Sequence, residues 1–284
     1  MIKNTIKIAL VGQPNVGKSM LINSISNARL KVGNFSGVTV SKEQVFFDYK
    51  NFHIEIVDLP GAYSLNDYTI EEKVTKDFLN NEKYDIILNV LDSTNLQRNL
   101  LLTAELLTLD KKMIIALNMR KKKKKESILI DEIQLSKILG KPCIKTSAAK
   151  KNGITKLLDE ILLKFQSQKV PSKFFFSNVI EEEIENISRV LEENKYETTE
   201  TYRQISLGLL KENKNIYKQF HDEPIWIKIQ PILTEAFEHL FIHFNSKNIK
   251  DIFNEERFAF AKGAVIETVK QKNTNTTTLT ERFD

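Results

Sequence analysis

The sequence predicts a doubly wound α/β domain followed by a small all-helical domain. Three observations predict it. Short apolar runs rich in Ile and Val alternate with helical periods up to about residue 165. All but two of the nine glycines fall at or before Gly153. Beyond Pro171, apolar residues recur at helical spacing throughout.

Taken in order, the runs Ile6–Val11, Ile54–Val57, Ile86–Leu91, Met113–Leu117 and Pro142–Lys145 read as strands buried on both faces. Val45–Asp48, joined to Ile54–Val57 through Tyr49–Asn51, reads as one antiparallel hairpin at the sheet edge. Helical periods lie between the strands: Leu21, Ile22 and Ile25; Leu96, Leu100, Leu101, Ala104 and Leu107; Ile154, Leu157, Leu158, Ile161 and Leu162. Further on, Ile180, Ile184, Ile187, Val190 and Leu191 share one helical face, and Ile229, Leu233, Phe237, Leu240, Phe241 and Phe244 share another. Asp222 and Pro224 mark a helix start, and Pro231 is expected to kink or restart that helix. The division this gives is a nucleotide domain over 1–166, a helical domain over 167–270 and a polar, Thr-rich tail over 271–284.

Composition narrows the class. Apolar residues make up 41% and charged residues 28%, ordinary for a chain with a packed core. No apolar run is long enough to span a membrane, and the N-terminus reads as a strand rather than a signal peptide. The single cysteine, Cys143, forms no intrachain disulfide and fits a reducing cytosol. Net charge is +5, and the Lys121–Lys125 run accounts for it, so charge does not argue for a nucleic-acid partner.

The chemistry is carried by two strand-end motifs. GQPNVGKS, Gly12 to Ser19, fits G-x-x-x-x-G-K-[ST] between a strand and a helix, the setting of a phosphate-binding P-loop. Its glycines let successive N–H groups face phosphate oxygens, Lys18 is expected at the β- and γ-phosphates, and Ser19 on Mg²⁺. In IEIVDLPG, Asp58 ends a strand and is expected to hold Mg²⁺ through water, while the Gly61 N–H faces a γ-phosphate. Between the motifs, KVGNFSGVTV reads as a mobile loop in which Thr39 offers a second hydroxyl to Mg²⁺. A base pocket is expected after Met113–Leu117, at Asn118 and Met119, with the companion Thr146, Ser147 and Ala148 after a later strand, where the Ala148 N–H would meet guanine O6. The fourth position of the N-x-x-D pattern, however, is Lys121. An ammonium cannot accept the guanine N–H groups, and each charge-assisted bond forgone is worth about 1.5–3 kcal/mol. Phosphate binding is therefore predicted, with guanine and adenine both open as the base. The nucleotide-contacting set is Gly12, Gln13, Pro14, Asn15, Val16, Gly17, Lys18, Ser19 and Met20; Gly37, Val38 and Thr39; Asp58, Leu59, Pro60 and Gly61; and the five base-pocket residues.

GQPNVGKS, VGNFSGVTV, DLPGAYSL, LDSTNLQRNL and ALNM, in this order over residues 5–165, resemble the cytosolic N-terminal region of the bacterial ferrous iron transport protein FeoB. RFAFAKGAVIETVKQ resembles the last cytosolic helix of that family. The resemblance implies a GTPase domain binding GTP or GDP with Mg²⁺, then a helical spacer that stabilises the GDP state. It also implies a polytopic permease in the full-length protein, set in the bacterial inner membrane with this region in the cytoplasm. Self-association is left open. By the same resemblance Asn15 binds an activating K⁺, with the carbonyls of Gly33 and Phe35 completing that site. Asn15, Lys18 and Thr39 are the residues expected to carry hydrolysis. Ala62 stands where Ras-like enzymes place a water-orienting Gln, so hydrolysis is expected to be slow. The rival is a ribosome-associated GTPase using the Lys run on RNA. Gly208 and Gly263 are the only glycines after Gly153, so the G-x-x-G loop of an RNA-binding KH domain is missing. His239 and His243, one helical turn apart, read as packing or surface residues rather than a metal pair.

Overall fold

The computed structural model describes residues 4–25, 29–66, 68–119, 128–168, 174–198 and 200–271. The described chain divides into two compact units; residues 104–110, 174–198 and 200–261 form one, and the remainder forms the other.

The first unit is built on a seven-stranded sheet. Its strands are β1 (Asn4–Gly12), β2 (Arg29–Asn34), β3 (Ser41–Tyr49), β4 (Phe52–Asp58), β5 (Ile86–Asp92), β6 (Met113–Asn118) and β8 (Cys143–Thr146), in the order β2-β3-β4-β1-β5-β6-β8. A further short strand, β7 (Ile128–Ile130), stands outside this sheet. β4, β1, β5, β6 and β8 run parallel, and β2, β3 and β4 pair antiparallel. The parallel strands are the Ile/Val runs read from the sequence, and β5 and β6 are buried at every position. Helices α1 (Lys18–Asn23), α2 (Ile70–Asn81), α3 (Leu96–Leu107), α4 (Glu132–Leu139) and α5 (Ile154–Gln166) connect the strands. One core joins Ile8, Leu10, Ile56, Leu88 and Ile114 to Leu21, Ile22, Leu157 and Ile161.

The predicted hairpin forms, with Val45 opposite Ile56 and Tyr49 opposite Phe52. Two pairings differ from the sequence reading. Arg29–Asn34 is an edge strand, so the segment read as a loop shrinks to the six residues after it. Every residue of β2 is exposed, and an exposed edge has no apolar run to announce it. The short strand β7 pairs with β9 (Val269–Gln271), and Asp131 N–H donates to the Thr268 carbonyl at 2.8 Å. Three-residue strands so far apart in the chain leave no periodic signal.

The second unit packs α6 (Asn178–Glu193), α7 (Tyr202–Leu210), α8 (Lys214–His221), α9 (Trp226–His243) and most of α10 (Ile249–Thr268) around Ile180, Ile184, Ile187, Leu191, Ile229, Leu233 and Leu240. These are the apolar faces the period predicted. Thr201 and Gln204 form a capping box that starts α7. α9 begins at Trp226 and continues through Pro231 as one helix, which corrects the expected restart. Proline there removes only the bond to Ile227, while Ile229, Leu233, Ala236 and Leu240 stay buried on either side. Glu181 and Arg203 pair, and the Arg203 guanidinium also donates to the Phe174 carbonyl at 2.8 Å. Arg257 pairs with Glu105 in the same unit. His239 Nδ1 lies 2.5 Å from Glu183 Oε1. Among the described residues no group of three or more His, Cys, Asp or Glu side chains could hold a metal, and no helix is long and apolar enough to cross a membrane.

Candidate nucleotide site

The motifs lie at the carboxyl ends of the parallel strands because the register puts them there. Leu10 is opposite Asp58, Gly12 opposite Val90, Asp92 opposite Asn118, and Asn118 opposite Thr146. In an open α/β sheet this edge is where ligands bind. β1 ends at Gly12, the chain turns through Gln13–Gly17, and α1 starts at Lys18. Gly17 has φ of 102°, and a Cβ there would lie 2.3 Å from Asn118 Nδ2. That position needs glycine both for its dihedral and for the close approach. Asn118 Nδ2 donates to the Val16 carbonyl at 2.8 Å, so this asparagine at the end of β6 braces the turn between β1 and α1. Asn15 has φ of 64°, a left-handed conformation that asparagine tolerates.

Lys18 Nζ is 3.9 Å from Asp58 Oδ1, and both side chains are largely buried. Burial pushes the Asp58 carboxyl up to about 6; Lys18 opposes this shift and Glu43, facing Asp58 across the β3–β4 ladder, adds to it. Burial lowers Lys18, while Asp58 and Glu43 hold it up. Asp58 Oδ1 is buried with no hydrogen-bond partner. A buried carboxylate oxygen with no hydrogen-bond partner, at the strand end beside the Gly12–Ser19 turn, is a hard-oxygen donor of the kind Mg²⁺ takes, so Asp58 fits that ion.

The second motif is fastened to the first. Leu59 N–H donates to the Leu10 carbonyl at 3.0 Å and Ala62 N–H to the Gly12 carbonyl at 3.4 Å. A Cβ on Gly61 would lie 3.0 Å from Pro14. Thr75, fully buried on α2, donates to the Pro60 carbonyl at 3.0 Å. Glu72 Oε1 accepts from the N–H groups of Tyr63 and Ser64 at 3.2 and 3.0 Å. On the base side, Met119 N–H donates to the Thr146 carbonyl at 2.7 Å, and Ser147 bridges to Asn152. The structure thus brings together Gly12, Pro14, Val16, Gly17, Lys18, Asp58, Gly61, Asn118, Met119 and Thr146. Asn15, Ser19, Met20, Gly37 and Thr39 are exposed. Gly33 pairs with Lys42 in the β2–β3 ladder. The Phe35 carbonyl accepts a 3.3 Å bond from Val38, and its ring packs edge-on to Phe78. Lys121 lies outside the described residues.

Sequence reading missed Glu72, Thr75 and Arg98. Only Glu72 left a signal: Thr69-x-x-Glu72 is a capping-box pattern, and Thr69 does cap α2 by accepting from Glu72 N–H.

Residues 6–161 match the family model described as ferrous iron transport protein B, and residues 176–270 match that of the FeoB cytosolic helical domain. The chain belongs to the FeoB family. It is 52% identical over 176 residues to the Fe(2+) transporter FeoB of Campylobacter jejuni, an alignment covering 62% of this chain and 29% of that one. It is 31% identical over 290 residues to an Fe(2+) transport protein A/Fe(2+) transporter FeoB fusion protein of Porphyromonas gingivalis, covering 99% of this chain and 34% of the relative. The chain therefore spans about a third or less of these FeoB proteins. Among solved structures it is similar to an S. thermophilus NFeoB mutant bound to GDP, with 30% identity, a TM-score of 0.81 and coverage of 93% of this chain and 100% of that one. The apo cytosolic domain of T. maritima FeoB is similar at 27% identity and a TM-score of 0.75, over 94% and 100% of the two chains. The FeoB likeness thus takes in both the sheet domain and the helical domain, as the fold predicted.

Proposed function

We propose that this chain is a GTP-binding, slowly hydrolysing regulatory module of a ferrous iron transporter, acting on a membrane permease region of the full-length protein. The observation that carries the reading is the phosphate cradle, in which Lys18, Asp58 and Asn118 converge on the turn from Gly12 to Ser19. GDP bound to the S. thermophilus relative supports a guanine nucleotide as its ligand.

In this reading the P-loop N–H groups and Lys18 bind the β- and γ-phosphates. Ser19, Thr39 and the ionised Asp58 would hold Mg²⁺, which when bound would offset phosphate charge. Gly61 N–H faces the γ-phosphate, already set against Pro14. On the family resemblance, Asn15 with the carbonyls of Gly33 and Phe35 would hold K⁺, and such a cation would stabilise developing charge. Asn118, Met119 and the Thr146–Ala148 turn hold the base. Because Lys121 replaces the guanine-reading acid, adenine nucleotides are the second reading, and the same measurement separates the two.

Calorimetric titration with GDP, GTP and ADP, in K⁺ and in Na⁺, tests the proposal. Guanine nucleotides are expected to bind, and K⁺ to raise turnover. Lys18→Ala should weaken GTP binding by about a hundredfold, the worth of one strong charge-assisted contact. Unchanged affinity in that variant sinks the cradle assignment, and equal ADP and GDP affinities sink the guanine preference.

A further inference from the structure

Arg98 stands in the first turn of α3, and two contacts tie it to different parts of the site. Its backbone carbonyl accepts a 2.7 Å hydrogen bond from Gln13 Nε2. Gln13 belongs to the P-loop and is 4% exposed. The Arg98 guanidinium carbon lies 4.4 Å from the ring centroid of Tyr63, two residues beyond Gly61. Tyr63 is held on its backbone side as well, by Glu72 Oε1. The chain between Tyr63 and the P-loop is short and fixed: Ala62 donates to Gly12, and Gly61 is packed against Pro14. These contacts close a ring that runs from Gln13 to Arg98, on to Tyr63, back through Ala62 and Gly61, and into the P-loop again at Gly12 and Pro14.

We propose that Arg98 is a positioning residue that latches the turn 61–63 against the phosphate loop through Tyr63, and so favours a nucleoside triphosphate over a diphosphate. The proposal rests on the GTP-binding reading above. Gly61 N–H is the group placed to meet a γ-phosphate, and a diphosphate makes no use of it. A turn ordered before the ligand arrives loses less entropy on binding, and only the ligand that uses the turn gains. Arginine suits the position because a planar guanidinium stacks on an aromatic face, whereas an ammonium is a compact, strongly hydrated charge. Both side chains lie at the surface; Tyr63 is 45% exposed. Substituting them therefore leaves the core intact.

The test measures affinities of the whole chain for GDP and for a non-hydrolysable GTP analogue. It compares wild type with Arg98→Ala, Arg98→Lys, Tyr63→Leu, Tyr63→Phe and the double variant Arg98→Ala with Tyr63→Leu. An exposed cation–π contact predicts that Arg98→Ala weakens the GTP analogue by about two- to fivefold, with GDP unchanged. Tyr63→Leu should do the same, the double variant should be no worse than either single one, and Tyr63→Phe should keep wild-type affinity. Arg98→Lys should fall between wild type and Arg98→Ala. Equal loss for both nucleotides, additive single effects, or no loss at all would overturn the latch. A wild-type chain that binds no guanine nucleotide removes the functional reading and the latch with it. A wild-type chain that binds both, with variants that do not discriminate, removes the latch alone.

Discussion

Asp58 holds a charge that the nucleotide-free fold resists. Its carboxyl is pushed up to about 6 by burial, and its Oδ1 has no hydrogen-bond partner. The folded chain therefore keeps a proton on Asp58 that the unfolded chain has already lost between about pH 4 and pH 6. The sign follows: the group costs nothing below pH 4, and its penalty grows as pH rises through that window and stays constant above it. A shift of this size is worth about 3 kcal/mol at most, and the attraction to Lys18 is already included in it. Asp58→Asn should therefore stabilise the nucleotide-free chain at pH 7.5 by about 1–2 kcal/mol, allowing for imperfect packing of the amide. The gain should shrink towards zero near pH 4, and Mg²⁺-dependent nucleotide binding should be lost. Urea midpoints of both proteins across this pH range check it; a difference that does not vary with pH would show that the Asp58 charge is not the cause. On the proposed reading, function and stability oppose each other at this residue.

The turn that carries Thr146, Ser147 and Ala148 is shaped by one glycine in the turn between β8 and α5. Gly153 has φ of 76°, and a Cβ there would lie 2.2 Å from the Lys145 carbonyl oxygen. The Ser147–Asn152 bridge sits between the two. An alanine at 153 would have to move backbone rather than a flexible side chain. Gly153→Ala should cost about 2–3 kcal/mol, combining left-handed strain with the clash. It should also weaken nucleotide affinity through the displaced 146–148 turn while leaving the Lys18–Asp58 end of the site in place. Unaltered denaturation and binding would mean the turn tolerates a different path. Elements of this kind divide by how local their cause is. The P-loop, α3, α5 and α6 were legible because their glycines, Lys18, Ser19 and apolar spacing act within one turn of chain. The second motif was legible as Asp58 and Gly61, but its fastening to Glu72, Thr75 and Arg98 was not. Those contacts are set by how α2 and α3 pack, with partners from 8 to 35 positions apart. The edge strand β2 was illegible for a different reason: its alternating Arg29, Leu30, Lys31 and Val32 are all exposed, so no buried face marks them. The change from Asp to Lys121 was legible and the structure of its loop is not described, so the base question stays with the titration.

At the scale of the molecule, the chain does not fill its two units in simple succession. Residues 104–110, the end of α3 and the turn after it, belong to the helical unit, while residues 262–271 belong to the sheet unit. A reading along the sequence cannot express that exchange, because it assigns each stretch to its neighbours. The consequence concerns α4 and the short strand before it. β7 pairs only with β9 among the described residues, and Asp131, whose side chain caps α4 by accepting from Ile133 and Gln134, donates its own N–H to Thr268. A chain ending at Ala261 loses both the ladder and that bond. A three-residue strand without a partner does not persist in water, so residues 128–131 should loosen and the cap of α4 with them. The loss should be about 2–3 kcal/mol, on the order of one per backbone hydrogen bond removed. Hydrogen exchange locates it: amides of α4 and the adjoining β8 should exchange faster, while those of α6 and α7 keep their protection. Affinity for GDP should fall as well, since β8 leads directly into the Thr146–Ala148 turn. Unchanged protection in α4 would show that β9 is dispensable to it, and an equal rise in α6 and α7 would show that the two units unfold as one.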